Sequence, residues 1–247
     1  MLFRSGLTHL KIKVGAGLET DRERLRQVFE IAEENAAADW CCTLDGNEAF
    51  TGMEELRAYY EALAADSRLR EGLKRVLFLE QPLRRDVCLT PEVGAGLAKW
   101  EGAPPFLLDE GDGSLSALPE ALRLGYSGVS HKNCKGILKG VANLALIQQA
   151  EARDGRRRFV SGEDLANVGP VALNQDLAVQ ALLGVAHVER NGHHYFQGLS
   201  MWPPSVQEAV LTAHGDLFRR HEGGFPVLDV RGGEVALDSV KDRKSVV

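Results

Sequence analysis

Nine charged or amide side chains each stand at the end of a short apolar run. They are Lys11 and Lys13 in HLKIKVG, Asp45 and Asn47 in CTLDGNEAF, Glu80 in VLFLEQPL, Asp109 and Glu110 in PFLLDEGD, and Lys132 and Lys135 in SHKNCKG. Asp45, Glu80 and Asp109 are hard oxygen donors, the kind that Mg²⁺ takes in octahedral geometry. Lys11 and Lys13 are two apart, so on a strand they share a face. Two ammonium groups on one face repel, and repulsion with partial burial makes a lysine a usable base. Asp45 and Asn47 share a face by the same rule. A carbon acid beside a carboxylate gives up its proton with difficulty, because the product is a dianionic enediolate, and a divalent charge stabilises that product. Lys13 on one face and Lys132 on the other could take the proton and return it, which racemises or epimerises the centre. One lysine as base with the other as charge stabiliser would serve elimination or cycloisomerisation equally well. A barrel that keeps these residues only to bind a metal or ligand is the non-catalytic alternative.

The intervals Lys13 to Asp45, Asp45 to Glu80, Glu80 to Asp109 and Asp109 to Lys132 are 32, 35, 29 and 23 residues. Each is the length of a strand, a helix and two loops, and a parallel (β/α) barrel brings every strand end to one rim. Strand signals lie near 9–14, 41–45, 76–80, 105–109, 127–132, 158–161 and 186–191. Helical patterns fill 20–36, 52–65, 91–99, 115–124, 137–153 and 168–183. Leu25, Val28, Phe29 and Ala32 form one apolar face of the first. Thr20 or Asp21 is its expected N-cap, and Gly125 the expected end of the fourth helix. The alternation predicts an α/β fold with a parallel sheet; seven strand signals appear where a closed barrel wants eight. Beyond residue 200 the pattern changes to a helix behind Pro203-Pro204 and a hairpin over 225–238 with its turn at Gly232-Gly233.

The chain has 247 residues, 44% hydrophobic and 26% charged, with net charge -6, which suits one large globular domain. The basic residues form no long face, so nucleic acid is not expected as a partner. No apolar run approaches the roughly 20 residues that cross a bilayer, and the N-terminal residues carry no signal-peptide core. Cys41, Cys42, Cys88 and Cys134 show no C-x-x-C spacing and are read as reduced thiols of a cytoplasmic protein.

As an ordered set, Lys-x-Lys, Asp-x-Asn, the Glu of LEQPL, the Asp-Glu of LLDEG and the Lys of SHKNCKG resemble the barrel domain of the enolase superfamily. The likeness covers residues 6–200 and is greatest to the muconate-lactonising and dipeptide-epimerase branch. The resemblance implies a TIM-type barrel, Mg²⁺ (or Mn²⁺) on Asp45, Glu80 and Asp109, and Lys13 and Lys132 as acid and base with Lys11 assisting. It implies a small carboxylate substrate, with Asn47, Glu110, Lys135, Glu163 and His194 as candidate contacts. For His193 and His194 a capping or packing role is the alternative to substrate contact, and for Glu163 and Asp164 a helix N-cap. The mandelate-racemase branch uses a His after the seventh strand; FVSGEDLANVG has none. Gly111 stands where relatives often have Ser, and Lys132-Asn-Cys-Lys135-Gly lacks the usual glycine pair.

The resemblance also implies a capping domain and a first barrel strand that precede the homologous region, so 6–200 would hold strands two to eight. Residues 201–241 would pack on that cap, and the full-length form is expected to be a homo-oligomer. Leu2-Phe3-Arg4-Ser5 can be encoded by CTCTTCCGATCT and Asp242 to Val247 by GATCGGAAGAGCGTCGTG. These strings are largely reverse complements and match a sequencing adapter, so residues 1–5 and 242–247 are expected to be non-native. An open sheet edge and an uncovered site would leave the 247-residue chain poorly soluble or without robust turnover.

Overall fold

The computed structural model describes residues 6, 8–163, 167–189 and 196–241. Its apolar, β-branched runs form seven parallel strands in chain order. They are β1 (His9–Lys13), β2 (Cys41–Asp45), β3 (Val76–Glu80), β4 (Phe106–Leu108), β5 (Gly128–His131), β6 (Phe159–Glu163) and β7 (Val188–Glu189). Helices connect them: α1 (Leu18–Asn35), α2 (Met53–Ala64), α3 (Arg70–Leu73), α4 (Pro91–Lys99), α5 (Ala117–Leu124), α6 (Ile137–Asp154) and α7 (Val171–Leu182). This is the expected α/β fold of the incomplete (β/α) barrel type. No described helix is long and apolar enough to cross a membrane.

The chain divides into two compact units. The larger holds residues 7–130 and 142–160. Its strands run in register, with Lys13 opposite Asp45 and Asp45 opposite Glu80. Phe78 on β3 meets Phe159 on β6 with ring centroids 5.3 Å apart, and both pack with Leu107 of β4. Side chains from non-adjacent strands meet only where a sheet curls round a filled interior. Outside the sheet α1 buries Leu25, Phe29 and Ala32, and α5 buries Ala117, Leu118, Ala121 and Leu124. The α5 helix stops at left-handed Gly125, as its sequence predicts.

The expected cap of α1 is wrong. The helix starts at Leu18 behind Gly17, and Asp21 lies inside the first turn with its side chain fully buried. Its carboxylate accepts the Gly15 N–H at 2.7 Å and the Tyr59 hydroxyl at 2.8 Å, and also pairs with Arg24. A burial this deep holds a charge only when donors surround it.

The smaller unit comprises residues 131–141 and 161–247 with the first six. Here α7, α8 (Pro204–Ala213) and the β8 (Phe218–Arg220) strand share a core of Leu173, Leu177, Leu199, Val210, Leu217 and Phe218. Val240 of the short α9 (Asp238–Lys241) packs against it. The predicted hairpin at 225–238 is corrected. Its turn at Gly232-Gly233 forms, closed by Arg231 and Glu234, whose N–H groups bond each other's carbonyls at 2.9 and 3.0 Å. The strand β9 (Pro226–Leu228), however, pairs backward with β8. The β8 strand satisfies the backbone groups of β9, which the short segment beyond Glu234 does not reach.

Candidate active site

The register builds the site. Lys13, Asp45 and Glu80 fall on one rung of three adjacent strands, and neighbouring parallel strands are about 4.8 Å apart. The Lys11 ammonium lies 3.0 Å from Asp45 Oδ2 and 3.0 Å from Glu80 Oε1. The Lys13 ammonium reaches the same Asp45 oxygen at 2.5 Å. The two amines therefore do share a face, and both converge on one carboxylate rather than standing bare against each other.

Asp45, Glu80 and Asp109 are all buried, 0%, 2% and 1% exposed. Burial pushes the Glu80 carboxyl up to about 7; the Lys11 charge opposes this, and those of Asp45 and Asp109 add to it. An oxygen of Glu80 and one of Asp109 come within 4.8 Å of each other. Glu80 and Asp109 are buried oxygen donors of the kind that suits a hard divalent cation such as Mg²⁺, while Asp45 Oδ2 is taken by both lysines and Oδ1 by the Asn47 N–H.

Asn47 is positioned differently from its expectation. It lies beyond β2 with φ 40°, and its backbone N–H donates to Asp45 Oδ1 at 2.9 Å. An Asx turn, not strand alternation, sets its direction. Its amide donates to Glu110 Oε1 at 2.9 Å. Burial raises the Glu110 carboxyl above its usual range, and the Asp109 charge adds to this. Gly46 lets the loops after β2 and β3 meet, since a Cβ there would lie 2.6 Å from the Pro82 Cα.

In the smaller unit Lys132 pairs with Glu163 at 2.8 Å, both side chains largely buried. Lys135 ends a 3₁₀ turn, Asn133–Lys135, that follows β5, and its N–H donates to the Lys132 carbonyl at 2.9 Å. Asp164, His193 and His194 lie outside the described residues.

Two parts of the larger unit escaped sequence reasoning. Gln81, next to Glu80, is 1% exposed and joins two strand ends. Its signal was an uncharged polar residue between a strand-end acid and a proline. The other is the brace of Asp21, Tyr59 and Arg24. Arg24 also bonds the Lys13 carbonyl, so the brace anchors the end of β1, where Lys13 stands. Asp21→Ala would leave the Gly15 N–H and Tyr59 hydroxyl without their acceptor. It is expected to cost about 3 kcal/mol, lowering the melting temperature by roughly 6–12 °C. Tyr59→Phe removes one donor and should cost less than half as much. Equal losses would show that the brace does not act through the carboxylate.

No family model matches the chain, and no curated protein matches it. Solved structures do. N-succinyl Arg/Lys racemase from Bacillus cereus ATCC 14579 aligns over 97% of this chain and 56% of its own, at 17% identity and TM-score 0.59. The mandelate racemase/muconate lactonizing protein from Herpetosiphon aurantiacus aligns over 96% and 58%, at 19% identity and TM-score 0.60. A racemase from Streptomyces coelicolor A3(2) with bound magnesium aligns over 96% and 54%, at 18% identity and TM-score 0.54. The chain thus spans little more than half the length of the structures it matches. At these identities the likeness establishes the fold, that of the enolase-superfamily enzymes its motifs resemble.

Proposed function

We propose that this chain is the barrel domain of an enolase-superfamily enzyme that removes a proton α to a carboxylate, most often to racemise or epimerise the centre. The observation that carries the reading is the rung of Lys13, Asp45 and Glu80 with Lys11 beside it. The fold and the named activities of the similar structures support it. Asp45, Glu80 and Asp109 would hold Mg²⁺, or Mn²⁺ in its place. The ion when bound would supply positive charge against the enediolate.

The chain's own residues do the rest. Lys13 takes or returns the proton; its side chain is 52% exposed, so it can reach a substrate. Lys11, 13% exposed and held by two carboxylates, assists Lys13 and balances charge. Lys132 is the second proton carrier, its ammonium oriented by Glu163. Asn47 and Glu110, a hydrogen-bonded pair at the loops beyond β2 and β4, are the proposed substrate contacts on that side. Lys135, and His194 beyond the described residues, are further candidate contacts. We propose a small carboxylate as its partner, in a protein that is cytoplasmic and homo-oligomeric.

The test is solvent deuterium exchange. N-acyl amino acids and dipeptides are incubated in D₂O with Mg²⁺ and an equal amount of protein, so that slow exchange registers. Label at the α-carbon with scrambling of the centre is the expected result. Consumption of the substrate would instead indicate a cycloisomerase or dehydratase using the same residues, and neither outcome would indicate a barrel that only binds.

A further inference from the structure

We infer that Gln81 is a positioning residue whose side chain sets the separation of Glu80 and Asp109, and through it the affinity for a divalent cation. The inference rests on the metal-dependent reading above and assigns a device that this reading does not contain. Gln81 follows Glu80 directly and is 1% exposed. Its Oε1 accepts two backbone N–H groups, that of Asp109 at 2.8 Å and that of Gly111 at 3.0 Å. Its Nε2 donates to the Leu83 carbonyl at 2.7 Å. Only one orientation of the amide satisfies all three bonds, because the oxygen faces two donors and the nitrogen faces an acceptor. The Gln81 backbone is held too: its N–H donates to the Leu107 carbonyl at 2.8 Å, and its carbonyl accepts the Glu48 N–H at 2.9 Å. One residue thus pins the end of β3 to the end of β4 by both main chain and side chain.

The backbone shows that this placement is imposed. Gln81 has φ 33°, in the left-handed region that non-glycine residues seldom occupy. Such strain persists only where the surroundings over-determine it. Gly111 completes the seat. A Cβ there would lie 2.6 Å from Cys88 Sγ, 2.8 Å from Leu108 Cδ1 and 3.2 Å from Gln81 Oε1. Cys88 is itself fixed, since the buried Tyr126 hydroxyl donates to its carbonyl at 2.8 Å. A side chain at 111 would push the glutamine off its two N–H groups. Glu80 and Asp109 repel each other when both are charged, so the two strand ends need a tie that survives that repulsion.

The test titrates the full chain with Mn²⁺, reading the free ion by electron paramagnetic resonance, and records the metal-free melting temperature of each variant. Gln81→Met keeps the length and removes the three side-chain hydrogen bonds; it is expected to weaken Mn²⁺ binding by about 10-fold or more, the usual effect of losing a support behind metal ligands. Gln81→Glu keeps an oxygen for both N–H groups but turns its second oxygen toward the Leu83 carbonyl, so it should bind Mn²⁺ more weakly than the parent and more tightly than Gln81→Met. Leu118→Ala, which empties part of the α5 contact, should lower the melting temperature and leave Mn²⁺ affinity unchanged. Should Gln81→Met not fold, Gln81→Asn replaces it, one methylene short of its partners, with the same loss expected. Equal affinity in the parent and in Gln81→Met or Gln81→Asn overturns the inference alone. A Glu variant as weak as the Met variant overturns the role of the shared acceptor. A parent chain that binds no Mn²⁺ overturns the metal-dependent reading itself, and the inference with it.

Discussion

Replacing Glu80 by Gln is expected to raise the melting temperature of the metal-free chain at pH 8 and to abolish its stabilisation by Mg²⁺. The first effect follows from burial, which lifts the carboxyl from its ordinary 4.5 to about 7. A carboxyl raised in this way binds more protons in the folded chain than in the unfolded one. Its contribution to stability is complete below about pH 4.5 and is lost as the pH climbs through 7. At pH 8 the charged form therefore costs up to about 3 kcal/mol, which is several degrees in a chain of this length. Glutamine keeps the shape, and its Oε1 can still accept from Lys11, but it carries no charge. At pH 5 most of the glutamate already holds its proton, and the gain should nearly vanish. The second effect follows from the proposed metal site: with the Glu80 carboxylate gone, adding Mg²⁺ should no longer favour the folded state by mass action. Thermal melts of both proteins at pH 5 and pH 8, with and without Mg²⁺, decide the matter. A variant less stable than its parent at pH 8 would mean that the Lys11 ion pair outweighs the burial of the charge.

Lys13→Ala and Lys132→Ala are each expected to suppress α-proton exchange by roughly 10²–10⁴, but for opposite stereoisomers. In a two-base racemisation each base abstracts from one enantiomer and delivers to the other. Removing one base therefore blocks exchange of the enantiomer that it deprotonates, while the other still exchanges. Overall racemisation falls in both variants. Separate exchange measurements on the pure D and L forms read this directly. If one variant lost both enantiomers and the other lost neither, a single base would be at work, and elimination or cycloisomerisation would become the better reading. Lys13 touches a buried carboxylate and Lys132 is paired to Glu163, so circular dichroism and a melt of each variant must accompany the exchange data.

The sequence made the strand ends legible because two physical signals coincided there. Short β-branched runs marked where the sheet had to be, and charged residues that would be ruinous inside a core marked where each run left it. Lys13, Asp45 and Glu80 satisfy both signals, and the register puts them side by side. Asn47 was harder: alternation along a strand applies only while the chain is a strand, and β2 ends at Asp45. The cap of α1 was misplaced because an aspartate near a helix start serves equally as a cap or as a buried acceptor. Only the tertiary approach of Gly15 and Tyr59 selects the latter. The backward pairing of β9 depends on which edge lies nearby, and local turn chemistry carries no information about that. The role of Gln81 is hidden for a similar reason: its position beside a strand-end acid is a local signal, but its partners at 109 and 111 are about thirty residues away along the chain and adjacent only after β3 and β4 pair.

The position of Lys11 has a consequence for how such a rim assembles. Its ammonium sits within hydrogen-bonding distance of both Asp45 and Glu80, a positive charge tethered to the first strand. Folding of β1, β2 and β3 against one another delivers that charge to the acids at the moment they are withdrawn from water. The acids can therefore be buried without a divalent ion to neutralise them, and the proposed ion would enter an already finished frame, sharing the acids with the tethered amine instead of organising them.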